Sequence, residues 1–237
     1  MDIVYICRDG DNEELRYSIR SAVKNLPHDN LWVVGGKPDW YSGPYIEVPQ
    51  DKAYYRNART NIRTIIKSNK ISNTFILMND DFFIMNKVDS LPYMYSGLLI
   101  DKINTRESYS QGDLYTRMLM KTDSELYERS KIKKALDYEL HVPMIFEKEK
   151  LSLVISSQGL WRSMYGNIND VGGEIFKDVK IYAKDHILSK NFIDMNSTYL
   201  STEDKIFEEH KEWFQEKFPE PSPYEHPWLD SNQRRTD

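Results

Sequence analysis

The chain has 237 residues, of which 40% are hydrophobic and 13% aromatic, and its formal net charge is −5. This composition is typical of a globular protein with one sizeable core and excludes a disordered chain. Because no polybasic segment is present, the charge gives no support for binding duplex nucleic acid through its phosphates.

Cys7 is the only cysteine, which excludes an intrachain disulfide. The first ten residues lack the basic start and the long apolar stretch of a signal peptide. No apolar run approaches the length needed to cross a bilayer. We therefore expect a soluble, cytoplasmic protein.

Short apolar runs rich in β-branched and aromatic residues alternate with amphipathic segments in the first 80 residues. The first amphipathic segment has a cap candidate in Asp11 or Asn12 and a stop at Pro27. We predict strands at 2–7, 31–36, 45–48 and 74–78, and helices at 11–27 and 51–69.

This order of strands and helices predicts an α/β fold with a mostly parallel central sheet. In such sheets, ligands bind outside the carboxyl ends of the strands. Two acidic positions, Asp9 and the pair Asp80–Asp81, fall at predicted strand ends of this kind. The sequence therefore places a candidate site at this edge of the sheet.

The second half is less regular, and we expect it to be largely helical. Residues 101–123 are rich in Ser, Gly, Asp and Thr with little periodicity, which indicates a mobile loop. The tail from Pro219 is proline-rich and polar, and we expect it to pack only through Tyr224 and Trp228. For the rest we predict a helix at 124–140, a strand or buried helical turn at 151–157, a loop at 166–174 and a helix at 202–217.

The triplet Asn79-Asp80-Asp81 stands inside the run "FILMNDDFFI". Mg²⁺ and Mn²⁺ in phosphate sites take one or two carboxylates together with substrate phosphates, and adjacent acids at a strand end supply them. In an extended backbone Asn79 and Asp81 share a face and Asp80 points to the opposite one. A capped turn after a core strand is the alternative interpretation.

Two further segments suit a nucleotide. Arg8 and Asp9 precede Gly10 at the end of the first strand, where a carboxylate meets a base or ribose, although a plain strand-to-helix turn has the same pattern. The segment "YYRNARTNIR" offers Arg59 and Asn61 for phosphate, with a solvated helix face as the alternative.

Three residues in the second half of the chain are candidates for a catalytic or ligand-binding role. His141 is a general-base candidate, although a histidine before a proline turn is often structural. Arg162 either stabilises phosphate charge or stacks on Trp161 or Tyr165. Asp204 either belongs to a helix cap in "STED" or binds a metal or substrate.

Several well-known motifs are missing from the sequence. It contains no glycine-rich phosphate loop of standard spacing, no metal-binding Cys/His cluster and no nucleophile elbow. These absences count against an ATPase, a dinucleotide enzyme, a zinc protein and a serine hydrolase.

Five segments, in family order, resemble the Stealth family of sugar-phosphate transferases. They are "DIVYICRDGDNEELRYSIRSAVKNLP", "ISNTFILMNDDFFI", "ELHVPMIFEKEKL", "LWRSMYGN" and "NFIDMNSTYLSTED". The resemblance implies a GT-A-like (Rossmann-like) nucleotide-sugar fold and a nucleotide-sugar donor, with a UDP-sugar expected first.

The resemblance also implies roles for the site residues. Asp80 and Asp81 would hold Mn²⁺ or Mg²⁺ on the donor diphosphate, with Asp81 essential for turnover and not for folding. Asp9 would lie near the nucleotide, His141 would deprotonate the acceptor and Arg162 would meet the phosphate. Donor binding would extend to the remaining candidates, namely Arg8, Arg59 and Asn61.

Two reactions are compatible with these roles. We place metal-dependent glycosyl transfer to an acceptor hydroxyl first, and hexose-1-phosphate transfer in polysaccharide synthesis second. A non-catalytic sugar-nucleotide-binding module is a third hypothesis. The acceptor is open between a polysaccharide, a small molecule, a protein and a modified DNA base, and the oligomeric state is open as well.

The expected organisation is a single catalytic domain at 1–205 followed by a C-terminal helix and tail at 206–237. Within the domain, residues 1–100 would bind the nucleotide sugar and residues 101–205 would supply acceptor and catalytic groups.

Overall fold

The computed structural model describes residues 1–51, 54–107, 112–183 and 197–226. In chain order the elements are β1 (Asp2–Cys7), α1 (Glu13–Asn25), β2 (Leu31–Gly35), β3 (Tyr45–Glu47), α2 (Tyr54–Lys67), β4 (Thr74–Asn79), β5 (Phe82–Ile84), β6 (Met94–Tyr95), α3 (Leu99–Glu107), α4 (Leu114–Ser130), β7 (Met144–Glu147), α5 (Lys148–Ser152), α6 (Trp161–Ile168), β8 (Glu174–Ile175), β9 (Lys180–Ile181), β10 (Tyr199–Thr202), α7 (Asp204–Glu209) and α8 (Lys211–Lys217).

The central sheet has the strand order β3-β2-β1-β4-β7. Its first four strands are parallel, and β7 runs antiparallel to β4. The predicted α/β class with a mostly parallel sheet flanked by helices is confirmed. Since β1 lies in the middle and the chain leaves it toward β2 on one side and later returns to β4 on the other, a crevice is expected at their carboxyl ends.

Helix α1 begins where the sequence predicts. The Asn12 side chain accepts a 3.0 Å hydrogen bond from the backbone N–H of Leu15, which caps the helix. Leu15 and Ile19 are fully buried against the sheet, and the helix ends at Asn25, two residues before Pro27.

Alternate residues of the central strands supply two separate cores, one on each face of the sheet. Val4 and Leu77 belong to the core that packs against α2, α4 and α6. Ile3 and Ile76 belong to the core that packs against α1. Burial on both faces explains why β1 and β4 are almost continuously apolar.

A second sheet of three strands, β5-β10-β9, continues from the end of β4. Strand β10 pairs antiparallel with β5 and parallel with β9. Phe83 of β5 packs on Phe214 of α8 with ring centroids 4.4 Å apart. This sheet therefore brings residues near 180 and 200 to the candidate triplet at the end of β4.

The loop predicted at 101–123 is wrong in the described part of that segment. Helix α3 reaches Glu107 and α4 starts at Leu114, capped by Asp113, whose side chain accepts from the Thr116 N–H at 2.7 Å. Buried threonines, Thr116 and Thr122, stand at positions of α4 where an apolar residue would reveal the helix period.

The helix predicted at 124–140 ends early, at Ser130, because Lys131 adopts a left-handed backbone with φ of 56°.

For residues 151–157 the sequence predicts either a strand or a buried helical turn. The structure has the end of α5 followed by turns there, so the strand is wrong. The loop predicted at 166–174 begins only after α6 ends, at Ile168. The helix predicted at 202–217 is present as two helices, α7 and α8.

The tail is held by more than the predicted aromatic contacts. Tyr224 stacks on Tyr41 at 6.4 Å between centroids, and Glu225 forms a 2.6 Å ion pair with Arg20 of α1. Trp228 lies outside the described residues. In the described ranges, no helix is both long enough and apolar enough to cross a membrane.

Candidate functional site

A first cavity, of about 290 Å³, opens at the carboxyl ends of β1 and β4. It contains four residues predicted to bind the donor or its metal, Arg8, Asn61, Asp80 and Asp81, which come from three separate segments. Asp204 of α7 and Lys180 of β9 also reach it. The polar residues that line it are Arg8, Gln50, Asn57, Asn61, Asn79, Asp80, Asp81, Lys180 and Asp204.

Asp80 is a partly buried carboxylate at this edge, with 20% of its side chain exposed. The Asn12 side-chain amide donates to its Oδ2 at 2.6 Å, and Nε of Arg8 lies 3.9 Å from the same oxygen. Burial, followed by the charge of Asp81, raises the pKa of Asp80 to about 6. A nearby cation would favour its ionised form.

Asp81 is engaged in a different way. Its Oδ2 accepts a short hydrogen bond from the Lys180 ammonium and one of 2.9 Å from the Ser201 hydroxyl. Only 14% of the Asp81 side chain and 12% of the Lys180 side chain are exposed. Asp81 therefore fastens the end of β4 to the three-stranded sheet, and Lys180, 99 residues away, was not expected from the sequence.

Arg8 links two carboxylates of the cavity. It donates a 2.8 Å hydrogen bond to Oδ2 of Asp204, and this contact is the main reason why the pKa of Arg8 is raised. The capping interpretation of "STED" is wrong, because Ser201 lies in β10 and α7 begins at Asp204. The alternative that Asp204 contacts a ligand remains a prediction.

The donor atoms of this cavity fit a hard divalent cation in part. Asp80, Asp81 and Asp204 each contact other side chains through Oδ2. Among the described residues, no side chain forms a hydrogen bond with Oδ1 of any of the three. Carboxylate oxygens of this kind suit Mg²⁺ or Mn²⁺. The described residues contain no group of three or more His, Cys, Asp or Glu that could hold a metal. Ligand oxygens and water would have to complete the coordination.

A second cavity, of about 340 Å³, adjoins the first. Asn79 lines both cavities, so they meet at the carboxyl end of β4. The walls of the second cavity combine aromatic rings with charged groups from separate segments of the chain. The other residues that line it are Phe82, Lys102, Arg106, Tyr115, Glu139, Leu140, His141, Arg162, Asp178 and Tyr182.

His141 and Asp178 form a hydrogen-bonded pair in this second cavity. Nδ1 of His141 lies 2.9 Å from Oδ2 of Asp178, and about a third of each side chain is exposed. Burial alone would raise the pKa of Asp178, but the hydrogen bond and charge of His141 outweigh it and lower that pKa to about 2. Asp178 lies 37 residues after His141, and no sequence motif connects the two.

Arg162 is buried beside the same cavity. Its guanidinium donates to the carbonyls of Tyr138 at 3.2 Å and of Val142 at 2.6 Å. Burial lowers its pKa, and the nearby carboxylate of Glu139 acts against this. The ring beside its guanidinium is that of Phe82, 5.9 Å from the centroid, rather than a ring of its own helix.

Arg59 and Asp9 lie away from both cavities. Arg59 donates to the carbonyls of Ile155 and Gly159 at 3.2 Å each and to that of Ser157, so it holds the turn after α5. Asp9 lines a separate cavity of about 480 Å³ beside Trp40. The predicted roles of these two residues in donor binding remain predictions.

No protein-family model matches the sequence, and no curated protein matches it either. Solved structures of glycosyltransferases show a likeness of fold. The galactosyltransferase LgtC, in complex with donor and acceptor sugar analogues, has a TM-score of 0.45 and 11% identity over 97% of this chain and 99% of that one. Mouse xyloside xylosyltransferase 1 has a TM-score of 0.36 and 7% identity over 94% and 96%. The glycosyltransferase GlyE of Streptococcus pneumoniae TIGR4 has a TM-score of 0.35 and 6% identity over 84% of this chain and 53% of that one.

Proposed function

We propose that the protein is a glycosyltransferase that binds a nucleotide-sugar donor in the first cavity and an acceptor in the second. The observation that supports this most is that Asn79, at the carboxyl end of β4, lines both cavities. A sugar attached to a diphosphate in the first cavity would extend past Asn79 toward His141. Donor and acceptor would then meet at one wall, as a transfer reaction needs.

The donor's diphosphate would lie against the two cations of the first cavity. Arg8 and Lys180 line it on either side of Asp80 and Asp81, and arginine in particular suits phosphate oxygens. The cavity also lies in the crevice where nucleotides bind in sheets of this type. A UDP-sugar is the donor to test first.

The charge of the first cavity favours a divalent cation beside the diphosphate. Three carboxylates, Asp80, Asp81 and Asp204, face only two cationic side chains, so an added diphosphate would meet net negative charge. Bound there, Mn²⁺ or Mg²⁺ would neutralise the departing nucleoside diphosphate. Asp80 and Asp204 would hold it through Oδ1, whereas Asp81 stays paired with Lys180.

The acceptor's hydroxyl would lie beside His141 in the second cavity. As its oxygen attacks the anomeric carbon, His141 takes the proton, and the bond from that carbon to the diphosphate oxygen breaks. The bonding electrons leave with the diphosphate, whose charge Arg8 and Lys180 stabilise. Tyr115 and Tyr182 offer ring surfaces and hydroxyls to an acceptor such as a saccharide.

Hexose-1-phosphate transfer is the second candidate, and Arg162 favours it. This guanidinium lines the second cavity together with His141, so a cation stands beside the attacking hydroxyl. In that reaction the hydroxyl attacks the phosphorus that carries the sugar, and a nucleoside monophosphate leaves. Resemblance to the Stealth family points the same way.

Product analysis distinguishes the hypotheses. The protein is incubated with Mn²⁺, a panel of the nucleoside-diphosphate sugars of UDP, GDP and dTDP, and a panel of saccharide acceptors. Release of nucleoside diphosphate with a glycosylated product supports glycosyl transfer, and release of nucleoside monophosphate supports the second reaction. Asp80→Asn should remove turnover, whereas the exposed control Asp89→Asn should retain it. Donor binding without any product, including hydrolysis, would overturn the enzymatic proposal in favour of a binding module.

A further inference from the structure

We propose that Asp178 is a positioning residue that holds the His141 imidazole with its proton on Nδ1, which leaves Nε2 as the proton acceptor in the second cavity. Only the use of Nε2 in catalysis depends on the proposed function. The choice of tautomer follows from the protein's own hydrogen bonds.

The Asp178 carboxylate has a fixed orientation. Its Oδ1 accepts two backbone N–H groups, from His141 at 3.0 Å and from Val179 at 2.9 Å. Both oxygens lie within hydrogen-bonding distance of Nδ1 of His141, Oδ2 at 2.9 Å and Oδ1 at 3.1 Å. Because a backbone N–H can only donate, Oδ1 is held in place and Oδ2 is directed at the imidazole.

An ionised carboxylate only accepts hydrogen bonds, so Nδ1 has to donate. A neutral imidazole carries one N–H, and with that proton on Nδ1 the opposite nitrogen, Nε2, has a free lone pair. His141 lines the second cavity, so this lone pair is available to a hydroxyl bound there. The pair thus has the geometry of a base and the group that orients it.

Aromatic rings limit the other orientations of the imidazole. Phe82 contacts it edge to face at 6.1 Å between centroids, and Tyr182 does so at 6.4 Å. Rotation of the imidazole away from Asp178 would disturb these contacts. Packing and hydrogen bonding therefore favour the same orientation of the ring.

The geometry predicts that Asp178→Asn is more harmful than Asp178→Ala. In the asparagine variant the two backbone N–H groups select the amide oxygen at the position of Oδ1. The NH₂ group then takes the position of Oδ2, which is the nearer of the two to Nδ1, and donates to it. Nδ1 must then accept, and the proton moves to Nε2, where it blocks the base. Alanine removes the partner without imposing the wrong tautomer. A purely structural role would give the reverse order, because asparagine matches aspartate in shape.

The direct test is ¹⁵N NMR of the imidazole nitrogens at a pH at which the rings are neutral. The His141 signals are assigned by their loss in His141→Gln. We expect the Nδ1–H tautomer in the wild type, a mixture in Asp178→Ala and the Nε2–H tautomer in Asp178→Asn. The control Asp89→Asn should match the wild type. An Nε2–H tautomer in the wild-type protein would overturn the proposal whether or not the variants fold.

Once a donor and an acceptor are known, steady-state kinetics of the Asp178 variants test the catalytic part of the proposal. Asp178→Asn should lower kcat by about 10²- to 10⁴-fold, the range for a general base and for a wrong tautomer in catalytic triads, with the donor KM unchanged. Asp178→Ala should lose less. If the NMR result is as expected and neither variant changes kcat, the tautomer assignment stands and the role of His141 as the base is wrong.

Discussion

Arg8 and Asp204 form an ion pair with a 2.8 Å hydrogen bond, although 196 residues separate them in the chain. The pair joins the end of β1 to the start of α7, and both residues line the first cavity. With 45% and 68% of the two side chains exposed, it contributes little to stability. Its position points instead to a role in holding ligand charge.

Arg8→Ala should therefore weaken nucleotide binding while leaving the fold intact. A charge-assisted hydrogen bond to a ligand contributes about 1.5–3 kcal/mol, so the Kd for UDP should rise by roughly 10- to 100-fold. The matched control is Arg56→Ala, which removes another exposed arginine from an ion pair, with Asp51 at 3.6 Å. Calorimetric titration measures both. Equal affinities of the two variants would contradict a donor-binding role for Arg8.

Asp81→Ala should destabilise the protein by about 3–5 kcal/mol, because it leaves the largely buried Lys180 ammonium without its carboxylate. The sequence alone predicts that this variant keeps its fold, and the ion pair changes that expectation. The double variant Asp81→Asn/Lys180→Met should lose less than the single one, since no unpaired charge remains. Urea unfolding at neutral pH measures both. If Asp81→Ala lowers the free energy of unfolding by less than about 0.5 kcal/mol, as an ordinary surface substitution does, the ion pair does not stabilise the fold.

Glu14 should make the protein less stable as the pH rises. It is 5% exposed and accepts a 2.5 Å hydrogen bond from Thr202, and burial together with Asp81 and Asp80 raises its pKa from 4.5 to about 8. Between these two pH values the folded state keeps a proton that the unfolded state releases, so the free energy of unfolding falls with rising pH. The total fall has an upper bound of about 5 kcal/mol.

The variant Glu14→Gln removes this titration and keeps an acceptor for Thr202. It should be more stable than the wild type at pH 8.5, and the difference should shrink toward pH 5. Glu212→Gln, an exposed substitution on α8, is the control. Chemical unfolding at a series of pH values gives both curves. Parallel curves for Glu14→Gln and the wild type would mean that Glu14 is ionised throughout.

Glu225→Ala should destabilise the fold by about 3 kcal/mol, since it removes one partner of a largely buried ion pair with Arg20. Glu225 accepts from Arg20 at 2.6 and 2.8 Å, lies 3.9 Å from Arg16, and has only 7% of its side chain exposed. Glu220→Ala, in the exposed part of the same tail, should leave the melting temperature unchanged. A similar result for the two variants would show that the tail contributes no stability.

The first half of the fold was predictable because its strands and helices carry their own local signals. Strands β1 and β4 are buried on both faces and read as continuous apolar runs, and α1 has both a cap and a proline stop. Helix α3 and the first part of α4 were missed. On α4 the buried positions Thr116 and Thr122 are polar, so the apolar period of that helix is weak.

The site was predictable to the extent that its residues follow strand ends. Asp80, Asp81 and Arg8 met in one cavity for that reason, and Asn61 joined them from α2. Lys180 and Asp178 carry no local signal. They reach the site through the β9–β10 pairing and through backbone contacts to His141, which depend on tertiary structure.

The central claim is that the first cavity binds a nucleotide sugar through its diphosphate and a divalent cation. The most direct measurement is calorimetric titration of UDP into the wild type, Asp80→Asn and Asp89→Asn, with and without Mn²⁺. We expect Mn²⁺-dependent binding to the wild type and to Asp89→Asn, and at least tenfold weaker binding to Asp80→Asn. UDP binding that neither Mn²⁺ nor Asp80→Asn changes would contradict the claim, as would a failure of UDP, GDP and dTDP alike to bind.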